Sequence, residues 1–563
     1  MNVSDEGRIM TADAAGSPSS ADLQHRGVEP RTLGERGVVL RLPRAAVPAD
    51  WAHGASALAG VREAVAGGSS VMLRFDRERD RNAALDALAA VKPVAAARDE
   101  ARVVKIDVVY DGDDLDETAE LLGLSPEALV AAHTAAEWTA RFVGFAPGFA
   151  YLEAPSRAPG QAPGQTPGNA LAVPRRDSPR TRVPRGSVAL AGGYSAVYPR
   201  ETPGGWRLIG RTDVRLWDEA RGADAALVTA GTRVRFTPVR GSARAAGSAE
   251  AKGVEQGSDA ASISPPELPR ALTVAHTGLP IAVIDEGRPG FAGLGVSTSG
   301  AMDRGAYRRA NRLVGNPRGA AALELSGAGA ELAFTDDTVV AVTGAVGELW
   351  ADGVGEVLPN APFLVRAGAI LAIEPADRGV RIVVAVRGGV LARETLGSRS
   401  SDTLGGLGPT PLLTGDRIGI ASEPHTLVGN PEAGPALPGL GETIEVPIVP
   451  GPDDDQFAPA QWRALCENPW TVTPRSDRIG MRLAGEPLVR MPGLDIESQG
   501  LVRGAVQVPP DGQPIVFQAD HPATGGYPVI GVVTESALDV LAQAPAGVIV
   551  SFIAQRRTAR PPA

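Results

Sequence analysis

Four arginines stand within eight residues, at Arg175, Arg176, Arg180 and Arg182, among prolines that fix the backbone. Guanidinium forks suit phosphate oxygens or a carboxylate, and cations this close repel one another unless anions compensate them. The run therefore reads as an anion-binding loop, with a solvated basic loop or a contact to another part of the chain as the alternative. Glycine-rich turns, one ending in Gly204-Gly205 and one at Thr524-Gly525-Gly526-Tyr527, can present backbone N–H groups to an anion or simply close tight turns. For a general base the candidates are His133, His521, Asp285 and Asp520. Asp520 and His521 are neighbours, so they can serve one site only from a turn, because adjacent residues of a strand face opposite ways. Asp285 stands beside Gly287 and Arg288 and reads either as a base or as an internal partner of Arg288; His133, a lone histidine, reads either as a base or as a structural group. Arg288 and Arg478 are further candidates for holding substrate or phosphate. Asp303, Asp477 and Glu324 read as helix caps or ion-pair partners, Asp303 opening a helix.

Other chemistries have no support in the sequence. No Gly-x-x-x-x-Gly-Lys-Ser/Thr run exists, so a nucleotide site would not be a P-loop. A single cysteine, Cys466, rules out an internal disulfide and a cysteine-based zinc cluster, and no histidine-rich cluster points to a metal site. The net charge of −10 argues against nucleic acid. No apolar run is long enough to span a membrane and the N-terminus has no signal-peptide core, so a cytoplasmic location is expected.

The elements that must position these groups are mostly short strands and turns, as the 68 glycines, 48 prolines and few aromatics imply. Residues 1–33 read as a disordered tail, and order is expected from Gly37 onward. Strands at 37–42 and 71–75 and helical spacing at 56–66 and 81–91 make a small α/β domain over 34–100. A strand at 103–110, helices at 114–122 and 125–134, and then strands and turns to 237 indicate a closed barrel over 101–240. Residues 241–270 have linker composition, most clearly at 241–265. Two further β-rich regions follow, 271–440 with one helix at 303–314, and 441–556, before a short tail at 557–563.

Longer motifs carry a resemblance. Tyr110-Asp111-Gly112-Asp113-Asp114-Leu115, Gly144-Phe145-Ala146-Pro147-Gly148-Phe149-Ala150-Tyr151-Leu152, the arginine run at 174–184 and Tyr198-Pro199-Arg200-Glu201-Thr202-Pro203-Gly204-Gly205-Trp206 closely resemble the B-subunit family of 5-oxoprolinase, also called the Kip-inhibitor or allophanate hydrolase subunit 1 family. Asp285-Glu286-Gly287-Arg288-Pro289-Gly290, Ser299-Gly300-Ala301-Met302-Asp303-Arg304, Gly397-Ser398-Arg399-Ser400, Val449-Pro450-Gly451-Pro452, Ser476-Asp477-Arg478-Ile479-Gly480 and Thr524-Gly525-Gly526-Tyr527-Pro528 resemble the C-subunit family of the same enzyme, also called Kip-antagonist or biotin-dependent carboxyltransferase-like. The resemblance implies a mainly β protein with α+β character: the small N-terminal α/β domain followed by three cyclophilin-like β-barrel domains. Where the C-subunit family has Gln-Asp-Leu-Gly-Arg this chain has Ile284-Asp285-Glu286-Gly287-Arg288, and where it has Pro-Gly-Asp this chain has Pro545-Ala546-Gly547.

The same resemblance implies an ATP-dependent amidohydrolase component that opens 5-oxo-L-proline to L-glutamate, with ATP and Mg²⁺ as cofactors and a separate LamB/YcsF-like 5-oxoprolinase A subunit as partner. Opening a lactam needs cations for phosphates, a base for water and donors for the developing oxyanion. Two alternatives stand beside it. One is a carboxyltransferase acting on urea or a related amide with carboxybiotin; no biotin attachment site is recognisable, since none of Lys92, Lys105 and Lys252 is flanked by methionine. The other is a non-enzymatic, kinase-regulating protein. A fused B–C chain further implies that its two halves pack together, with the site between them.

Overall fold

The computed structural model describes residues 23, 26–95, 103–154, 171–240, 270–493 and 496–555. The expected linker, apart from Arg270, and the tail at 557–563 lie outside the described residues.

The small domain is a four-stranded antiparallel sheet in the order Glu29–Leu33, Gly37–Arg41, Ser70–Phe75, Val61–Ala66. Two expectations are corrected here. Within the expected tail, Glu29–Leu33 pairs with Gly37–Arg41 as an edge strand, while residues 1–22, 24 and 25 lie outside the described residues; Pro30 is tolerated there because an edge leaves one side of the backbone unpaired. The spacing at 56–66 is not helical. A helix at Pro48–Ser56 precedes it, Gly60 takes a left-handed φ of 80°, and Val61–Ala66 forms a strand. Its buried residues Glu63 and Val65 follow the two-residue period of a pleated strand. Gly37–Arg41 is buried on both faces: Val38 and Leu40 join the domain's own core, while Val39 faces residues of the last barrel.

The next region is a seven-stranded sheet running from Arg207–Arg211 at one edge to Val103–Val108 at the other, and a bridge between Val109 and Arg211 joins the two edges into a ring. Its helices, Leu115–Leu121 and Pro126–Ala135, lie where their caps predict, the second begun by the Ser125 side chain accepting from the Ala128 N–H. The last region, Thr443–Ala554, is a closed seven-stranded barrel. The two barrels share construction. Each pairs its first and last strands in parallel, Val103–Val108 with Arg233–Pro238 and Thr443–Pro450 with Ile549–Ala554. Each buries a tryptophan whose indole N–H donates to the fifth residue upstream, Trp138 to His133 O and Trp470 to Leu465 O, both at 2.9 Å. Each also presses a glycine, Gly112 or Gly451, so tightly on a neighbouring strand that an added Cβ would meet backbone atoms at 2.4 or 2.2 Å. Two residues later a buried aspartate, Asp114 or Asp453, accepts the N–H of Leu208 or Val529 at 2.7 or 2.8 Å. The matching residues lie more than three hundred positions apart, so no short-period pattern in the sequence announces the repeat.

The middle region, Ala271–Ile420, closes sheets of seven and five strands over one core, and the helix Arg304–Leu313 packs on the five-stranded sheet through Ala306, Tyr307 and Ala310. Asp303 caps that helix as expected, accepting from the Ala306 N–H at 2.7 Å.

The N-terminal and C-terminal halves are in contact over several elements. Leu33, Val39, Val65 and Met72 of the small sheet share an apolar cluster with Leu501, Phe517, Val529 and Val532 of the last barrel. Arg31 reaches Asp454 at 2.5 Å, Arg41 reaches Asp455 at 2.6 Å, and the Gly68 N–H donates to Ser498 O at 2.6 Å. The first barrel reaches the middle region through Gly148 N–H to Leu294 O and Arg200 to Leu404 O, each 2.9 Å.

Candidate functional site

The arginine run resolves first. Arg180 grips Asp114 with two hydrogen bonds of 2.8 Å, and Arg176 adds a third of 2.7 Å. Burial would raise the Asp114 carboxyl, but the bonds from Arg180 and Leu208 and the charges of Arg180 and Arg176 win, holding it below the usual carboxylate range. Arg182 pairs with Glu201 at 2.6 Å. Arg175 stays exposed, within Coulomb reach of the Tyr151 and Tyr198 hydroxyls. Expected as phosphate ligands, Arg176 and Arg180 have a carboxylate of their own as counter-ion. Gly204 and Gly205 belong to the same packing: an added Cβ on Gly204 would meet the Tyr198 hydroxyl at 2.3 Å, and Gly205 O accepts the Arg176 N–H at 2.8 Å.

His133 is a core residue. Its Nδ1 meets the Tyr110 hydroxyl at 2.7 Å and its Nε2 the Ser195 hydroxyl at 2.8 Å, with the Phe236 ring 4.4 Å away. It has no exposed surface, and burial pushes its pKa down to about 3. As a catalytic base it is therefore corrected to a structural group, a neutral imidazole with both nitrogens satisfied.

The C-terminal motifs converge on a buried polar layer between the middle region and the last barrel. Arg478 holds Asp520 through bonds of 2.9 and 3.1 Å, Glu324 at 2.5 Å and Gly300 O at 2.7 Å. The other Glu324 oxygen accepts the Met302 N–H at 2.8 Å, and Asp520 accepts from the Thr403 N–H and hydroxyl at 3.0 and 2.8 Å. Burial disfavours the Arg478 cation, but Asp520 and Glu324 outweigh it and raise its pKa. Asp402 lies beside this group; burial and the Asp520 charge push it up to about 6 against the Gly405 N–H and Arg288. Arg288 donates to Ser400 O, and to Thr395 O at 3.3 Å, with Asp402 at 3.9 Å. The alternative of an Asp285–Arg288 pair is not formed. Asp285 instead accepts from Gly287 N–H and the Ser398 hydroxyl at 2.7 Å and from Arg399 N–H at 2.5 Å, which occupies both its oxygens. Asp285, Asp520, Arg288 and Arg478 thus belong to a buried polar layer in which both aspartates and Arg478 are bonded within the protein, while one Arg288 nitrogen has no hydrogen-bond partner among the described residues and stands 3.9 Å from Asp402. Neither aspartate keeps an oxygen without a partner, which corrects the reading of Asp285 and Asp520 as bases.

His521 is different. It follows Asp520 out of the turn, and its Nδ1 sits 2.8 Å from Pro522 O, so Nδ1 carries the proton and donates. Nε2 is left with its lone pair, and His521 lines a cavity of about 90 Å³. The ring is 4% exposed, and burial pushes its pKa down to about 4, helped by the charges of Arg74 and Arg503 and opposed by Pro522 O and Asp520. It is a neutral base at physiological pH. The walls come from both halves: Arg36 and Arg74 from the small domain, Thr298 and Arg304 from the middle region, and Arg503 and Glu535 from the last barrel. Arg74 is fixed by Glu63 at 3.1 Å and by the Thr298 hydroxyl at 3.0 Å. Arg503 donates to Met302 O and, at 3.4 Å, to Ala301 O. Burial and the Arg304 charge lower its pKa to about 10, so it remains a cation.

Thr524, Gly525, Gly526 and Tyr527 lie to one side, at the contact with the first barrel. Thr524 Oγ1 is buried against Gly144 without a hydrogen bond, Gly525 pairs with Gln499, and Tyr527, 43% exposed, gives its carbonyl to Gln507 at 2.8 Å. Among the described residues no group of acidic, histidine or cysteine side chains is arranged to hold a metal, and no helix is long and apolar enough to cross a membrane.

Comparison with known proteins agrees with the motifs. Residues 31–227 match the carboxyltransferase domain, subdomain C and D, and residues 294–554 match the carboxyltransferase domain, subdomain A and B. The C subunit of Escherichia coli K12 5-oxoprolinase is 35% identical over 285 residues, 50% of this chain and 90% of that protein. The chain belongs to the family of the 5-oxoprolinase B and C subunits. The B subunit of Bacillus subtilis 168 is 39% identical over 141 residues, 24% of this chain and 53% of that protein. The solved structure of TTHA0988 is 35% identical and covers 92% of this chain and 99% of its own, with a TM-score of 0.76. Similarity extends to the urea amidolyase of Lachancea kluyveri, 32% identical over 51% of this chain but only 17% of that enzyme. The B-type half therefore supplies Arg36 and Arg74 to the cavity, and the C-type half supplies His521, Arg304 and Arg503.

Proposed function

We propose that this chain is the joined B and C component of an ATP-dependent 5-oxoprolinase, completed by a separate LamB/YcsF-like A subunit and acting in the cytoplasm. The observation that carries the reading is His521, a neutral imidazole with a free Nε2, facing a cation-lined cavity that neither half builds alone. The relatives named as 5-oxoprolinase components support the substrate class.

Water does not attack a lactam carbonyl readily, because amide resonance must be broken. ATP, as its Mg²⁺ complex, would supply a phosphoryl group to the amide oxygen, making the carbon a better target for water; the ring C–N bond then breaks with the nitrogen leaving as the amine, and a second water releases inorganic phosphate from the acyl phosphate. On this chain, His521 Nε2 takes the proton of an attacking water, while Arg304 and Arg503 neutralise oxygens that gain negative charge. The carbonyl of Pro522 holds the imidazole in the tautomer that leaves Nε2 free.

The test is L-5-oxoproline-dependent ADP release in Mg-ATP, with and without the A-type partner. Release only with the partner is expected. No release in either case would sink the reading and favour a carboxyltransferase, which the similarity to urea amidolyase also supports.

A further inference from the structure

Four arginines, Arg36, Arg74, Arg304 and Arg503, line the cavity against three acids, Glu35, Asp76 and Glu535. Arg304 makes no ion pair and no side-chain hydrogen bond among the described residues, although Glu535 and Asp539 lie within Coulomb range. Arg503 donates only to neutral carbonyls, and its buried Nε has no partner. These two cations repel one another across the cavity. Glu535 stands on the lining with its N–H donating to Glu35 at 2.7 Å and its carboxylate 3.7 Å from Arg36 at the surface, and it makes no hydrogen bond or ion pair to Arg304 or Arg503. Arg74 is already matched by Glu63. Enclosing guanidinium groups without counter-ions costs stability, and such an arrangement persists where a ligand supplies the missing charge.

We infer that the cavity between the small domain and the C-type half is a site for one small oxoanion, a carboxylate or a phosphate, whose oxygens bridge Arg304 and Arg503 beside His521 Nε2. Two guanidinium forks on converging walls suit the paired oxygens of either group. Thr298 stands at the wall as a hydroxyl donor. The ligand class deepens the functional reading above and rests on it for the two natural sources, the carboxylate of 5-oxoproline and a phosphoryl group from the nucleotide. Construction from both halves gives the joined chain a physical purpose: separation of the halves would open the anion site.

The experiment uses the full chain, with calorimetric titration and thermal melting in the presence of inorganic phosphate, L-5-oxoproline and neutral 2-pyrrolidinone. At least one oxoanion is expected to bind once per chain and to raise the melting temperature, while 2-pyrrolidinone does neither. Binding of phosphate identifies a phosphoryl pocket; binding of 5-oxoproline alone identifies a carboxylate pocket. Arg304→Gln removes no ion pair and no side-chain hydrogen bond of the described residues, so it should fold and melt close to the wild type without ligand. Its oxoanion affinity should fall about tenfold or more, the worth of a charged hydrogen bond. Unchanged affinity in Arg304→Gln, equal binding of 2-pyrrolidinone, or no response to either oxoanion would overturn the inference. Binding without ADP release in the complete complex would keep the oxoanion site and reject the proposed activity, so the two can fail separately.

Discussion

Asp520 and His521 are covalent neighbours that face two regions of opposite electrostatic design. On the Asp520 side, Arg478 is surrounded by Asp520, Glu324 and Gly300 O, and its charge is answered within the protein. On the His521 side, Arg304 and Arg503 face a cavity with no acid bonded to either. Both regions enclose guanidinium groups where domains meet. What separates them is whether the counter-charge is built in, and that difference distinguishes a scaffold from a site.

The comparison breaks most visibly under substitution. Asp520→Ala removes one of the two carboxylates that hold Arg478 in the interior and should destabilise the chain by roughly 2–3 kcal/mol in urea unfolding. Arg304→Gln should cost little by the same measurement. Equal losses for the two variants would mean that both regions are structural.

A second difference appears with acid. His521 titrates at about 4 in the fold, against about 6.5 when unfolded. Between those values the unfolded chain binds the extra proton, so this contribution to stability is lost as pH falls. The loss reaches about 2–3 kcal/mol by pH 4.5. His133, at about 3, acts in the same sense. Asp402 acts oppositely: raised to about 6, it takes up a proton in the fold before it would in the unfolded chain, which favours the fold below that pH. His521→Gln should flatten the wild-type decline in urea-unfolding stability between pH 7 and 4.5. An unchanged slope would show that the ring is not held neutral.

The smallest effect concerns the contact between halves. Asp114 in the first barrel is gripped by arginines of its own barrel, whereas its counterpart Asp453 is reached by Arg41 of the small domain at 3.1 Å. Arg41 and Asp455 are both partly exposed. Asp455→Ala, which removes only the exposed partner of Arg41, should therefore weaken the assembly by about 1 kcal/mol, leaving halves cut in the linker able to co-purify. Dissociation of the cut halves in the unsubstituted chain would contradict the packing.

Features set by local sequence were legible in advance. Ser125 and Asp303 were readable as helix caps because a capping oxygen acts on an N–H only a few residues away. The families were legible because their motifs are long. The strand at Val61–Ala66 was not, since alanine-rich residues fit either period until packing decides. Nor was the role of Arg176 and Arg180, whose counter-ion Asp114 lies more than sixty residues upstream. His521 is legible as a histidine beside Asp520, and Arg304 closes the Ser299–Arg304 motif, but Arg74 and Arg503 carry no local signal. They become functional candidates only where the two halves meet.

The most direct measurement is kcat/KM for L-5-oxoproline-dependent ADP release by the complete complex containing either wild-type chain or Arg304→Gln. The account predicts a loss of about tenfold or more in the variant, with unfolding stability retained. Wild-type kcat/KM in Arg304→Gln would contradict it, because the unpaired cation would then have no part in holding the substrate or its phosphoryl group.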